Sequence, residues 1–188
     1  MNISLLKFWH KITNKNKYYD YKFSLKKKEN IKIFKEKYET QINNIQKIIK
    51  DKNELFFLHS GHAGDIINTL PVIKELSKTH KCNLIIQVNK PINSTYYKHP
   101  AGNVFINDRI FNLLLPLLQN QNYIYRIEKY KNQKIDINLD IVRELPVGIN
   151  FDAPKWGFNL TGIQSDLTKP YLSVEPHKHI KDIISVSR

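Results

Sequence analysis

The residues best suited to do chemistry lie in one short segment, residues 60–71, which reads SGHAGDIINTLP. It follows the apolar run Leu55–Leu58 and precedes the helix-like stretch 72–76. A strand, a glycine-rich turn and a helix start therefore meet at Asp65. This is where open α/β sheets bind ligands, beyond the carboxyl ends of their strands. The side chain there is a carboxylate, which can accept a proton, and not a lysine that would bind a phosphate.

The glycine spacing in this turn excludes two phosphate-binding motifs. Gly61 and Gly64 permit positive φ angles and close backbone approach. They do not form G-x-G-x-x-G, and no Gly-Lys-Ser/Thr follows, so the dinucleotide fingerprint and the P-loop are both absent from the sequence. A negative charge near a helix N-terminus is stabilised. On its spacing alone Asp65 is either a helix cap or a general base, and the spacing favours the cap.

The same segment resembles the first strand, loop and helix of the lipopolysaccharide heptosyltransferases, glycosyltransferase family 9. The family pattern runs apolar strand, small residues, Gly-Asp, apolar pair, polar pair, Leu-Pro, and residues 64–71 match it almost position by position. The resemblance implies a GT-B fold in which Asp65 is the base that deprotonates the acceptor hydroxyl. The chain departs from the pattern at Asn68, where relatives often carry histidine. The resemblance is firm over residues 55–76 and loose over 55–188.

The resemblance also implies an acceptor site around this loop. Its residues are Gly61, His62, Ala63, Gly64, Asn68, Thr69 and Asp140. Asp140 belongs to a second, weaker match, in which residues 135–141 resemble the family's Asp-x-x-Ile-Asp-Leu strand, with Asp136 and Asp140 at its acidic positions. A strand whose ends are capped by acids explains the same two residues without catalysis, and we favour that interpretation.

The implied reaction is inverting, metal-independent transfer of a sugar from a nucleotide-sugar donor to a glycan or lipid-linked acceptor. No cofactor is expected, because the nucleotide sugar is itself a substrate. The seven histidines and the single cysteine, Cys82, do not form a zinc-binding pattern. A GT-B enzyme needs two domains, whereas 188 residues suffice for one substantial domain. We therefore expect the acceptor-side half of such an enzyme, inactive alone and truncated before its donor-binding domain.

Hydrophobic periodicity predicts an α/β fold, with a Rossmann-like, mostly parallel sheet, flanking helices and a basic, helical N-terminal extension. The predicted strands are 55–59, 82–88, 122–128 and 135–141, and the predicted helices are 29–50, 65–79 and 108–119, with a short helix around Trp156 and a buried thiol at Cys82. Leu55–Leu58 is the predicted central strand. The predicted units are the extension 1–52, the acceptor-side domain 53–170, and a linker with the first strand of a further domain, 171–188.

The basic charge is concentrated at the N-terminus. Residues 1–52 contain 14 lysines, no arginine and five acidic residues, which gives +9 of the total net charge of +13. Together with aromatic residues such as Phe8 and Trp9, these lysines suit an anionic membrane surface. They also suit nucleic acid, or simply a solvated lysine-rich surface. The lack of arginine disfavours nucleic acid, because arginine supplies the bidentate contacts.

Two further functions therefore stay open beside the glycosyltransferase. One is a non-catalytic module that binds sugar or lipid, and the other is a peripheral membrane or nucleic-acid-binding protein that acts through the lysine-rich N-terminus. No apolar run approaches the roughly 18 residues of a membrane span. The first ten residues do not form a secretory signal. We expect a cytoplasmic protein, and attachment to the inner face of the membrane stays open as an alternative.

Overall fold

The computed structural model describes residues 3–92, 103–143 and 153–174. Its helices are α1 (Ile3–Thr13), α2 (Lys15–Ile33), α3 (Glu39–Asp51), α4 (Ala63–Leu76), α5 (Asp108–Gln119) and α6 (Ala153–Thr161). A π-helical turn, Phe34–Tyr38, joins α2 to α3, and a 3-10 turn, Leu139–Arg143, follows the last strand. The strands are β1 (Glu54–His59), β2 (Lys81–Ile86), β3 (Arg126–Lys129) and β4 (Ile137–Asn138).

The four strands form one sheet in the order β3-β2-β1-β4. Every strand pair is parallel. Strand β1 is interior, because it pairs with β2 from Glu54↔Lys81 to His59↔Ile86 and with β4 at Phe57↔Ile137. Parallel neighbours require crossover connections, which helices supply here. The predicted α/β class and the interior position of Leu55–Leu58 are thus confirmed, and the all-parallel sheet is consistent with a Rossmann-like arrangement.

Two predicted strands are shorter than expected. The strand predicted over 135–141 is reduced to Ile137–Asn138, because the chain turns where the backbone N–H of Asp140 donates to the Asn138 side chain at 3.0 Å. The strand predicted over 122–128 starts only at Arg126, because a turn closed by a 3.1 Å bond from Ile124 N to Gln121 O precedes it. Both changes come from turns that hydrophobic alternation does not reveal.

Helix α4 begins two residues earlier than the predicted helix 65–79, at Ala63. A proline early in the helix is tolerated if it lies in the first turn, but Pro71 lies in the helix interior and is buried. A proline there cannot donate to the carbonyl four residues before it. The helix tolerates this at a position where the ring itself contributes to the core.

Helix α3 completes the core from outside the sheet. Tyr38, at the end of the π-helical turn, and Ile42, Ile45 and Ile49 of α3 are buried in the main hydrophobic cluster. Their spacing of three and four residues places them on one face of the helix. The helix predicted over 29–50 is thus realised as the end of α2, the π-helical turn and most of α3.

Helices α4 and α6 approach each other closely at Gly157. A Cβ atom at Gly157 would lie 2.7 Å from Cγ2 of Val72, which is too close for any side chain without movement. Glycine is therefore required there by space. The short helix predicted around Trp156 is confirmed as α6, and both Trp156 and Phe158 pack against the core.

The one cysteine is inert in this fold. Cys82 lies in β2 and is 1% exposed. Burial raises the pKa of its thiol to about 12, so the thiol stays protonated at neutral pH. Because the thiolate is the nucleophile, Cys82 supplies packing and not chemistry, as predicted.

The predicted linker after residue 170 is described only at its start. Residues 171–174, the start of the predicted linker, are held by a 2.8 Å bond from Ser173 N to the Gln121 side chain. The rest of the linker and the strand predicted after it lie outside the described residues. Residues 103–107 contain a single antiparallel bridge, between Val104 and Pro91. Among the described residues no helix has the length and apolar character needed to cross a bilayer.

Candidate functional site

Asp65 lies just beyond the carboxyl end of the interior strand. Strand β1 ends at His59, and Asp65 is the third residue of α4. Its Oδ2 atom accepts a hydrogen bond from the backbone N–H of His62 at 3.1 Å, and the side chain is half-buried. The carboxylate therefore caps the start of the helix. Because part of its surface stays in contact with solvent, the same group can still meet a ligand.

His62 is held beside this carboxylate by Phe105, a residue far from it in the sequence. Its Nδ1 lies 3.1 Å from the carbonyl oxygen of Phe105, and the two rings meet edge to face with centroids 5.1 Å apart. Phe105 thus fixes the orientation of the His62 ring.

The glycines of the loop do not use the positive φ angles that glycine permits. Gly64 lies in the first turn of α4 and is exposed, and a Cβ placed on it would meet nothing within 4 Å. Among the described glycines, Gly162 is the one with a positive φ angle, +73°. Gly61 is buried and donates its N–H to Nδ1 of His59 at 2.9 Å. Gly64 therefore keeps the helix start accessible, whereas Gly61 packs under it.

The other predicted acceptor residues separate into two groups. Ala63 and Asn68 are half-buried. Asn68 follows Asp65 by three residues on α4, so the Asn68 and Asp65 side chains lie near the same surface of the helix. Thr69 is 3% exposed, and its hydroxyl donates to the carbonyl of Ile66 at 2.8 Å. The structure thus brings His62, Gly64, Asp65 and Asn68 to one surface and places Thr69 in the interior.

Asp140 lies in a buried network under the loop. It is 5% exposed, and its Oδ1 accepts the backbone N–H of Ser60 at 2.8 Å. Its Oδ2 accepts from the Ser60 hydroxyl and from Nζ of Lys90, the latter at 3.1 Å. A buried carboxylate needs such donors to offset its lost hydration. Asp140 therefore positions Ser60, the first residue of the segment that carries the candidate site.

Asp136 plays the matching role at the other end of β1. Its Oδ2 accepts the backbone N–H of Phe56 at 3.1 Å, and its Oδ1 pairs with Lys52. The two carboxylates together clamp β1 near both of its ends. Acids that cap strand ends, the interpretation favoured from the sequence, are what the structure contains. Ser60, Lys90 and Phe105 carry no sequence signal, because their contacts join residues far apart in the chain.

Removing the Asp140 carboxylate should destabilise the fold. Asp140→Ala leaves a buried backbone N–H at Ser60 without its acceptor, and this costs about 1–3 kcal/mol of unfolding free energy. Urea denaturation followed by circular dichroism measures the change. The control is Asp108→Ala, because hydrogen bonds from Lys129 and Asn89 lower the pKa of this exposed carboxyl without burying it. A midpoint for Asp140→Ala equal to that of the wild type would show that the Asp140 network adds no stability.

The site is centred on a carboxylate. Within residues 3–92, 103–143 and 153–174, no three or more His, Cys, Asp or Glu side chains cluster in a way that would hold a metal ion. Chemically, the exposed Gly64 lets a polar ligand approach the start of α4, next to the proton-accepting group of Asp65. Comparison with protein-family models, curated proteins and solved structures finds no match to this chain.

Proposed function

We propose that this chain is the acceptor-binding side of an inverting glycosyltransferase with a GT-B architecture, of the heptosyltransferase type. It would transfer a sugar from a nucleotide-sugar donor to a glycan or lipid-linked acceptor. The observation that carries the proposal is the position of Asp65, a half-buried carboxylate beyond the carboxyl end of an interior parallel strand, beside the exposed Gly64. The proposed location is the cytoplasm, at the inner face of the membrane.

In this mechanism Asp65 takes the proton from the acceptor hydroxyl while that oxygen attacks the anomeric carbon of the donor sugar. The bond from that carbon to the nucleotide diphosphate breaks on the opposite face, and the diphosphate leaves with the electron pair. The anomeric configuration is therefore inverted. A general base must lie within hydrogen-bond distance of the proton that it removes. The bond from His62 N–H to Oδ2 orients the carboxylate for this task.

The surrounding residues have supporting roles in the proposal. His62, Gly64 and Asn68 would contact the acceptor, because they share the surface of Asp65. Gly61 and Ala63 shape the backbone of the loop. Thr69 and Asp140, both buried, would support the loop from below and not touch the sugar. The leaving nucleotide diphosphate would be stabilised by a second, donor-binding domain, and no metal or other cofactor takes part.

Sugar transfer tests the proposal directly. Radiolabelled nucleotide sugars are offered with lipid-linked and free glycans to protein that includes a donor-binding domain, in buffer that contains EDTA. We expect one sugar to be added per acceptor, with inverted anomeric configuration by NMR. This chain alone should bind the acceptor without turnover. Glycan binding by this chain combined with no transfer from any nucleotide sugar would instead assign it to a non-catalytic sugar-binding module.

A further inference from the structure

Helix α1 carries an apolar face that the rest of the described structure does not cover. Leu5, Phe8, Trp9 and Ile12 are 63%, 65%, 66% and 67% exposed. Steps of three, one and three residues place all four on one side of the helix. Single exposed apolar residues are common on protein surfaces, but a continuous patch of large ones marks an interaction site.

The opposite side of α1 is already occupied. Leu6 and His10 are half-buried, and the ring of His10 lies 6.1 Å from the ring of Tyr21 in α2. Asn14 separates the two helices and caps α2 by accepting the backbone N–H of Lys17 at 3.1 Å. Helix α1 therefore folds back on α2 with one side, and this leaves the apolar face directed away from its own neighbour.

The positive charge around this face indicates which kind of partner it binds. Residues 3–33 contain nine lysines and two acidic residues, and α1 has no acid at all. Helix α2 buries none of its residues. A second copy of this helix pair would bring like charges together, which disfavours self-association through this face. An anionic bilayer meets both demands, since its headgroups attract lysine and its acyl boundary accepts Leu, Phe and Trp side chains.

We propose that α1 lies in the plane of an anionic phospholipid bilayer, with Leu5, Phe8, Trp9 and Ile12 inserted at the boundary between headgroups and acyl chains. The lysines of α1 and α2 then contact the anionic headgroups. The 11 residues of α1 are too few to span a bilayer. This surface is separate from Asp65, so membrane binding and sugar transfer are tested independently.

Vesicle binding by the full chain tests this surface. Phosphatidylcholine vesicles, with and without about one third phosphatidylglycerol, are sedimented with the protein at low and moderate salt. We expect binding to the anionic vesicles that weakens with salt. A Trp156→Phe background leaves Trp9 as the single tryptophan, and its fluorescence should shift to shorter wavelength on binding.

Matched variants separate vesicle binding through the apolar face of α1 from nonspecific hydrophobic adsorption. The double variant Leu5→Ser/Trp9→Ser should bind anionic vesicles at least about tenfold more weakly, because it removes two inserted side chains. The control Leu113→Ser removes an apolar side chain that is 72% exposed on α5 and should change binding less than about twofold. Circular dichroism checks that the helices remain.

Four outcomes would overturn the proposal. The first is equal binding to neutral and anionic vesicles, and the second is equal effects of the α1 and α5 substitutions. The third is a blue shift of Trp9 without lipid together with dimerisation in sedimentation velocity, which would assign the face to a second copy of the chain. The fourth is tighter, salt-sensitive binding to single-stranded RNA that persists in the double variant, which would assign the lysines to nucleic acid.

Discussion

Asp65→Asn should lower turnover by roughly 10²–10⁴-fold in protein that includes a donor-binding domain, because an asparagine amide does not accept the acceptor's proton. The substitution preserves size and leaves an amide oxygen that can still accept the His62 N–H, so the helix cap largely survives. The loss of stability should stay below about 1 kcal/mol. Initial rates at saturating donor and acceptor measure the effect, and a urea midpoint near that of the wild type shows that the fold is retained.

A matched control makes this result specific to the site. Asp108 is also an acid in the first turn of a helix, at the start of α5. Asp108→Asn should leave turnover within about twofold of the wild type, since it changes a helix-start charge without removing the base. Asp65→Glu keeps a carboxylate on a longer stem and should retain more activity than Asp65→Asn. If Asp65→Asn turns over within a few-fold of the wild type, Asp65 is a helix cap and the base assignment is wrong.

Phe57→Ala should destabilise the protein by about 3–5 kcal/mol, because it leaves a cavity in the centre of the core. Phe57 is 0% exposed and is paired with Leu84 on one side and Ile137 on the other. A loss of this size is a large part of the roughly 5–15 kcal/mol that holds a typical domain folded. Urea unfolding followed by circular dichroism measures it.

The neighbouring Phe56 provides an ideal control for this effect. It is the same residue type in the same strand, but it is half-buried. Phe56→Ala should therefore cost less than Phe57→Ala, because less apolar area is buried at that position. Equal losses for the two variants would contradict the alternating burial of β1. The pair also tests whether β1 is interior, since an edge strand would make both substitutions mild.

The sequence determined the elements whose signals are local. Apolar runs and helical periodicity located β1, β2, α4 and α5, and most ends of these elements fall within a few residues of the predicted ones. They also predicted the buried thiol of Cys82 and the interior position of β1. These features follow from side-chain patterns over five to fifteen residues, and such patterns depend little on the rest of the fold. The acid at the strand-to-helix junction, Asp65, was identified in the same way.

Tertiary structure decided everything that depends on which distant residues meet. Ser60 and Asp140 are 80 residues apart, and His62 and Phe105 are 43 apart, yet these pairs build and orient the candidate site. The sequence does not say which of Phe56 and Phe57 faces the core, because that depends on the sheet's pairing and on the helices packed against it. The apolar face of α1 is likewise periodic in sequence, but only packing shows that no other described residue covers it. Local patterns record which side of an element is apolar, whereas its partner is set by the long-range packing of the whole chain.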